Sequence, residues 1–206
     1  MTEVVRPKAV VFDVGNVLYG WDPESFLVRQ IADDEARLRF IEDIDLWNWH
    51  DSLDGGRGFH EAAAELSETF PAYAEYISAW GDRFGETIQD PVPGVHAIVA
   101  DLDANGIPLF GITNFSADFW GPFRAREEAF FSRFKDIVVS GEEKLMKPDP
   151  AIYYLALDRF GLRPDEALFI DDRIINVEGA EAVGMKAHLF TDAYDLHARL
   201  EAEGLL

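Results

Sequence analysis

The sequence has no cysteine and little positive charge. Only 18 Lys and Arg, five of them Lys, stand against 39 Asp and Glu, a formal net charge of −21 over 206 residues. Without thiols there is no disulfide, iron–sulfur cluster, Cys-ligated zinc or thiol nucleophile. The shortage of cations excludes nucleic acid, whose phosphate backbone needs a basic face to displace its counterions. It argues equally against docking on an anionic membrane. Long apolar runs are missing too. The stretch MTEVVRPKAVVFDVGNV holds only the four-residue run Ala9–Phe12, far short of a signal peptide or a membrane span, so a soluble cytoplasmic protein is expected. What the chain has is apolar bulk: hydrophobic residues make up 48%, with 16 Phe, 6 Tyr and 5 Trp. That is enough to bury a core and to exclude disorder.

Three short apolar runs, Ala9–Phe12, Ile107–Ile112 and Ala167–Ile170, predict parallel strands buried on both faces. Ile137–Val139 and Ala187–Phe190 are weaker candidates. Amphipathic stretches at Val95–Ala104, Pro150–Phe160, Asn176–Val183 and Ala193–Glu201 predict helices, and Gly106, Gly161 and Gly184 stop three of them. This alternation predicts an α/β fold: an open parallel, Rossmann-like sheet flanked by helices, with right-handed crossovers. Between Asp22 and Asp90 the rhythm breaks. That segment shows helical periodicity and no strand, and its 17 acidic and 5 basic residues leave −12. The economical reading is an α-helical cap inserted after the first strand, with residues 1–20 and 91–206 forming the α/β core and 21–90 the cap.

Ligands of open parallel sheets sit beyond the carboxyl ends of the strands. There the sequence offers Asp13 after the first strand, Thr113-Asn114 after the second, Lys147 in the loop after the weak third, and Asp171-Asp172 after the fourth. An Asp or Asn in such a position is often only the N-cap of the next helix, and a lone Lys before Pro is often a solvated loop residue. Four such positions converging on one edge are less easily accidental. A carboxylate at Asp13 can form an aspartyl-phosphate. Carboxylates from two strands make an oxygen site suited to Mg²⁺. Lys147 and the Thr113 hydroxyl can hold phosphoryl oxygens.

The stretches VVFDVGNVL, FGITN, KLMKPDPAIYYLA and LFIDDRIINVEGA resemble the four motifs of the haloacid dehalogenase-like superfamily, over nearly the whole chain. The resemblance implies that Asp13 is the nucleophile, Thr113 and Asn114 the phosphate-binding motif, and Lys147 the third-motif lysine. It implies a Mg²⁺ site of Asp13, the Gly15 carbonyl and Asp172, with Asp171 as a direct or water-mediated partner and Asn176 shaping the loop. It also implies a phosphatase acting on a small phosphorylated metabolite, as a monomer or homodimer. Most phosphatases of the superfamily carry a second Asp two residues after the nucleophile, which protonates the leaving group. Gly15 stands there, so a general acid worth about 10²–10⁴-fold is missing. The D-x-G-N-V form resembles a bacterial subgroup that includes sugar-1-phosphate phosphatases, whose leaving groups depend less on protonation.

A side chain of the inserted segment is the other possible proton source. Trp47-Asn48-Trp49-His50-Asp51, with Arg57 and His60 nearby, makes His50 and Arg57 candidates for the leaving-group side, and Trp21, Trp47 and Trp49 candidate walls. Two rival functions remain open. A 2-haloacid dehalogenase would use the same Asp without metal; Tyr153 favours it, and the Asp171-Asp172 pair, which needs a cation, opposes it. A weakly catalytic binding or regulatory protein on the same fold is supported by Gly15 alone.

Overall fold

Residues 6–206 are described by the computed structural model; residues 1–5, expected in the core, lie outside the described residues. Five strands form one parallel sheet: β1 (Ala9–Phe12), β4 (Leu109–Thr113), β5 (Asp136–Val139), β6 (Ala167–Asp171) and β7 (Lys186–Leu189), in the order β5-β4-β1-β6-β7. All five expected strands are present, displaced by two residues or fewer at each end. The sheet is apolar on both faces because alternate side chains go to opposite layers. Val10, Phe12, Leu168 and Ile170 join one cluster, with helices α6 (Val95–Ala104), α7 (Ala117–Arg126), α8 (Glu128–Phe131) and α12 (Ala193–Glu203). Ala9, Val11, Ala167 and Phe169 join the other, with α10 (Pro150–Phe160) and α11 (Ile174–Ala182). This is a Rossmann-like α/β fold.

Helix ends follow local chemistry. Gly106, Gly161 and Gly184 take positive φ of 72°, 66° and 91°, the left-handed turn that closes a helix. The expected caps lie elsewhere than the strand ends: Asp149 accepts from Ala151 N and Asp192 from Asp195 N, while Asp13 and Asp172 cap no helix.

Between β1 and α6 run five helices: α1 (Pro23–Gln30), α2 (Asp34–Asp43), α3 (Leu46–Asp54), α4 (Phe59–Thr69) and α5 (Ala74–Asp82). They enclose an apolar cluster of their own around Phe26, Phe40, Leu53 and Trp80, which Phe119 of α7 also joins. One expectation needs correction. A strand does occur within 22–90: β3 (Ile88–Pro91) pairs antiparallel with β2 (Tyr19–Trp21). This two-stranded stem marks where the helical segment leaves and re-enters the sheet domain, and the expected boundaries at 20/21 and 90/91 run through it. Neither strand is apolar enough to announce itself, since Gln89 and Asp90 face solvent.

Candidate active site

Parallel pairing brings the carboxyl ends of β1, β4 and β6 side by side, and the site is built on that edge. The Asp13 amide donates to Ile170 O at 2.8 Å, so β1 carries its pairing with β6 through to Asp13. The Lys147 ammonium lies 2.8 Å from Asp13 Oδ1 and 2.7 Å from Asp171 Oδ2, with its side chain 1% exposed. Asn114 holds that lysine by its backbone: its Oδ1 accepts from Lys147 N at 2.9 Å, and its Nδ2 donates to Lys147 O at 3.0 Å. From the other side α11 presses on the same loop at Gly179. A Cβ there would stand 3.0 Å from Pro148 O, tighter than side chains ordinarily pack, so glycine favours this approach. Asp171 also accepts from Arg173 N and from Asn176 Nδ2. It is fully buried and its oxygens are well used.

Carboxylate oxygens of Asp13, Asp171 and Asp172 lie within 4.8 Å of one another. Burial raises the Asp13 pKa, the Lys147 ammonium opposes the rise and Asp171 adds to it. Burial works against the charge on Lys147, but Asp13 and Asp171 outweigh it and hold the ammonium above its ordinary value. Asp172 is raised by burial and by Asp171, against a hydrogen bond with Asn16. One buried ammonium among three carboxylates leaves an excess of negative charge in a desolvated place. All the cluster's side-chain donors to a metal are oxygen, which suits a hard divalent cation such as Mg²⁺.

Beyond this cluster opens a cavity of about 440 Å³. Asp13, Gly15, Asn114, Lys147, Asp172 and Asn176 all line it. Thr113 is 1% exposed and lies one residue behind the wall, which Asn114 and Phe115 form. A Cβ built at Gly15 meets nothing within 4 Å, so sterics do not demand glycine there. His50 lines the opposite side, 5% exposed and stacked between Trp21 and Phe84 at 5.3 and 5.9 Å. Burial lowers its pKa to about 4, which keeps the imidazole neutral at physiological pH and makes it a poor general acid. Arg57 is paired with Glu65 and does not line the cavity, so the expectation that it binds substrate is corrected. His60 is exposed, Trp47 is outside the lining and Trp49 packs on Phe59 inside the helical cluster; of the three expected aromatic walls only Trp21 reaches the cavity. The Tyr153 hydroxyl donates to Asn176 O at 2.8 Å and is fully buried, away from the cavity.

Two lining residues went unread in the sequence. Arg173 makes no salt bridge among the described residues and lines the cavity next to Asp172. Asp54 lies one helical turn after His50, with Oδ2 3.7 Å from His50 Nε2, and is 8% exposed. The Ser140 hydroxyl pins this end of α3, donating to Asp54 O at 2.6 Å while accepting from Phe115 N. Burial pushes the Asp54 carboxyl up to about 7; Asp51 adds, the Ser116 amide opposes, and Asp13 adds a further rise. The i, i+4 spacing that puts His50 and Asp54 on one face was the available signal.

An open parallel sheet that gathers a buried aspartate, a lysine and a carboxylate pair on its carboxyl edge has the layout of an α/β enzyme that works at that edge. A family model described as haloacid dehalogenase-like hydrolase matches residues 7–184, and the chain belongs to that family. Among curated relatives, the sesquiterpene phosphatase astK of Aspergillus oryzae is 25% identical over 193 residues, 90% of this chain and 91% of that one. N-acetylmuramic acid 6-phosphate phosphatase of Pseudomonas aeruginosa is 26% identical over 88% of this chain and 80% of its own length. A solved HAD family enzyme from Bacteroides thetaiotaomicron, in complex with magnesium and inorganic phosphate, superposes with a TM-score of 0.68 at 20% identity, covering 90% of this chain and 95% of that one. L-2-haloacid dehalogenase from Xanthobacter autotrophicus matches with a TM-score of 0.60 at 18% identity, over 88% and 76%. The fold is therefore shared by both chemistries.

Proposed function

We propose that the protein is a Mg²⁺-dependent phosphatase that hydrolyses a small phosphomonoester through an aspartyl-phosphate on Asp13. The observation that carries this reading is the cluster of three carboxylates around one buried lysine at the cavity base. Asp13 and Asp172, with the Gly15 carbonyl, would hold the cation. Asp171, already engaged by Lys147, Arg173 N and Asn176, would position Lys147 from behind. Bound there, Mg²⁺ would offset charge on the phosphoryl oxygens. The phosphatases among the relatives point the same way. A dehalogenase would have to bring an anionic acid up to the Asp171-Asp172 pair, and Tyr153, its one supporting residue, is committed to Asn176.

In the first step an Asp13 carboxylate oxygen attacks phosphorus in line as the bond to the ester oxygen breaks. Lys147 and Arg173 hold the phosphoryl group. The helical segment, read as a cap, would set Asp54 toward the departing oxygen, and its carboxyl, pushed up to about 7 and so part-protonated near neutral pH, would supply the proton that Gly15 cannot. Asp54 then takes a proton from the water that attacks the aspartyl-phosphate, releasing inorganic phosphate and restoring Asp13.

Phosphate release from an ester panel tests the reading, with Mg²⁺ or with EDTA, in wild type and Asp13→Asn. Turnover that needs both the cation and Asp13, with acid-stable ³²P on wild type alone, is expected. Halide release without metal, or binding without turnover, would overturn it.

A further inference from the structure

The cavity is electrically and chemically divided. Lys147, buried at its base with Asp13, and Arg173, exposed next to Asp172, are the only cationic side chains in the lining. The remaining wall is largely apolar: Trp21, Phe84, Ile88, Phe115, Phe123 and Met146. Its polar members are His50, already stacked between two rings, Asn16 and Tyr19, already engaged with Trp21 N and Glu127, and the carboxyl groups of Asp51 and Asp54. A sugar would need a partner for each hydroxyl stripped of water, and this wall offers few. A leaving group with a second phosphate or carboxylate would meet Asp51 and Asp54 and no cation. The apolar character continues outward. Ile175, which lines the cavity, is 49% exposed, its neighbour Ile174 is 55% exposed, and Trp47, edge-on to Trp21, is 41% exposed. Large apolar side chains left in water around the mouth of an apolar cavity mark a binding surface.

We infer that this site takes the phosphate monoester of an apolar or aromatic alcohol bearing no second negative charge, an inference that rests on the phosphatase reading above. The phosphate sits at the base on Lys147 and Arg173. The hydrocarbon lies against Trp21 and Phe84 and leaves along Ile175. A sugar 1-phosphate, which the sequence alone suggests, is disfavoured by the same wall.

The test is kcat/KM on n-alkyl phosphates from methyl to hexyl, against glucose 1-phosphate and phosphoglycolate, with Mg²⁺ present. Burial of a methylene is worth ~0.8 kcal/mol, so kcat/KM should rise about fourfold per methylene until the cavity fills. Ile175→Glu, at an exposed position that does not disturb folding, should flatten the rise. A series independent of chain length, or glucose 1-phosphate or phosphoglycolate outrunning hexyl phosphate, would overturn the inference and leave the phosphatase reading intact. If no ester releases phosphate, the phosphatase reading falls instead. Calorimetric titration of the Mg²⁺-loaded protein with n-alkyl phosphonates then decides the cavity by itself. Affinity that grows with chain length supports it, and affinity that does not sinks it.

Discussion

Replacing Asp54 with Asn should make the protein more stable and less active, and the two effects have separate signatures. Burial holds the Asp54 carboxyl at about 7 in the folded chain against 3.8 for the free group. Between those values the folded state keeps a proton that the unfolded chain has released, so stability falls as pH rises through the window. Below about pH 4 both states are protonated and the group contributes nothing to the difference; above about pH 7 the loss is complete. At roughly 1.4 kcal/mol per unit, the full effect is up to about 4 kcal/mol. Asn cannot ionise, so Asp54→Asn should match wild type near pH 4 and exceed it near pH 8. For a chain of this size the gain in Tm is on the order of 10 °C. Scanning calorimetry in metal-free buffer, at both pH values, measures it. Activity should move the other way. Loss of the proton donor should cost about 10²–10⁴-fold on hexyl phosphate and far less on p-nitrophenyl phosphate, whose leaving group needs no proton. Equal losses on both esters, or a Tm at high pH no greater than wild type, would refute the assignment.

Lys147→Met should destabilise the fold by roughly 3–5 kcal/mol, because it leaves Asp13 and Asp171 buried without their shared counter-charge; urea unfolding measures this, and turnover should vanish with it. Gly15→Asp should fold normally, since a Cβ there meets nothing within 4 Å. In an Asp54→Asn background it should restore about 10-fold or more of the lost rate on hexyl phosphate, as a second carboxyl acting as acid. His50→Ala should cost roughly 2–5 kcal/mol of stability through lost stacking on Trp21 and Phe84. Any fall in kcat should be the same on hexyl and p-nitrophenyl phosphate, because a ring with a pKa of about 4 is not the proton source.

The sheet is legible because a strand buried on both faces must be apolar at every position, and runs such as Ala9–Phe12 and Ala167–Ile170 have no other economical explanation. Helix α7 is hidden by Pro122 in its interior, a residue that normally argues against a helix. The stem of β2 and β3 is hidden by its shortness and exposure. At the site, Asp13, Lys147 and Asp171-Asp172 stand out because each follows a strand, and strand ends can be found from composition alone. Asp54 and Arg173 do not stand out. Asp54 acquires its chemistry from burial against a distant part of the chain, where Ser140, 86 residues away, fixes the end of α3. The same distance explains Arg57: a basic residue beside His50 in sequence turns its guanidinium to Glu65 instead.

The charge of −21 looks ill-suited to a phosphate ester until it is divided by location. Some of it has local structural work to do: Asp22, Asp33, Asp149 and Asp192 each cap a helix N-terminus, where a carboxylate is favoured by the helix dipole. More is spent in surface pairs such as Arg39–Glu35 and Arg83–Glu86, which add little to stability. In the cavity, four carboxylates face two cationic side chains. That imbalance would repel a dianionic ester on its own, and one divalent cation held at Asp13 and Asp172 would offset it. Beyond Lys147 and Arg173 the lining holds no cationic side chain that could pair with a second anion. On the phosphatase reading, the acidity of the chain therefore bears on specificity: a phosphate is held at Lys147, and a second anion finds no cation in the rest of the wall.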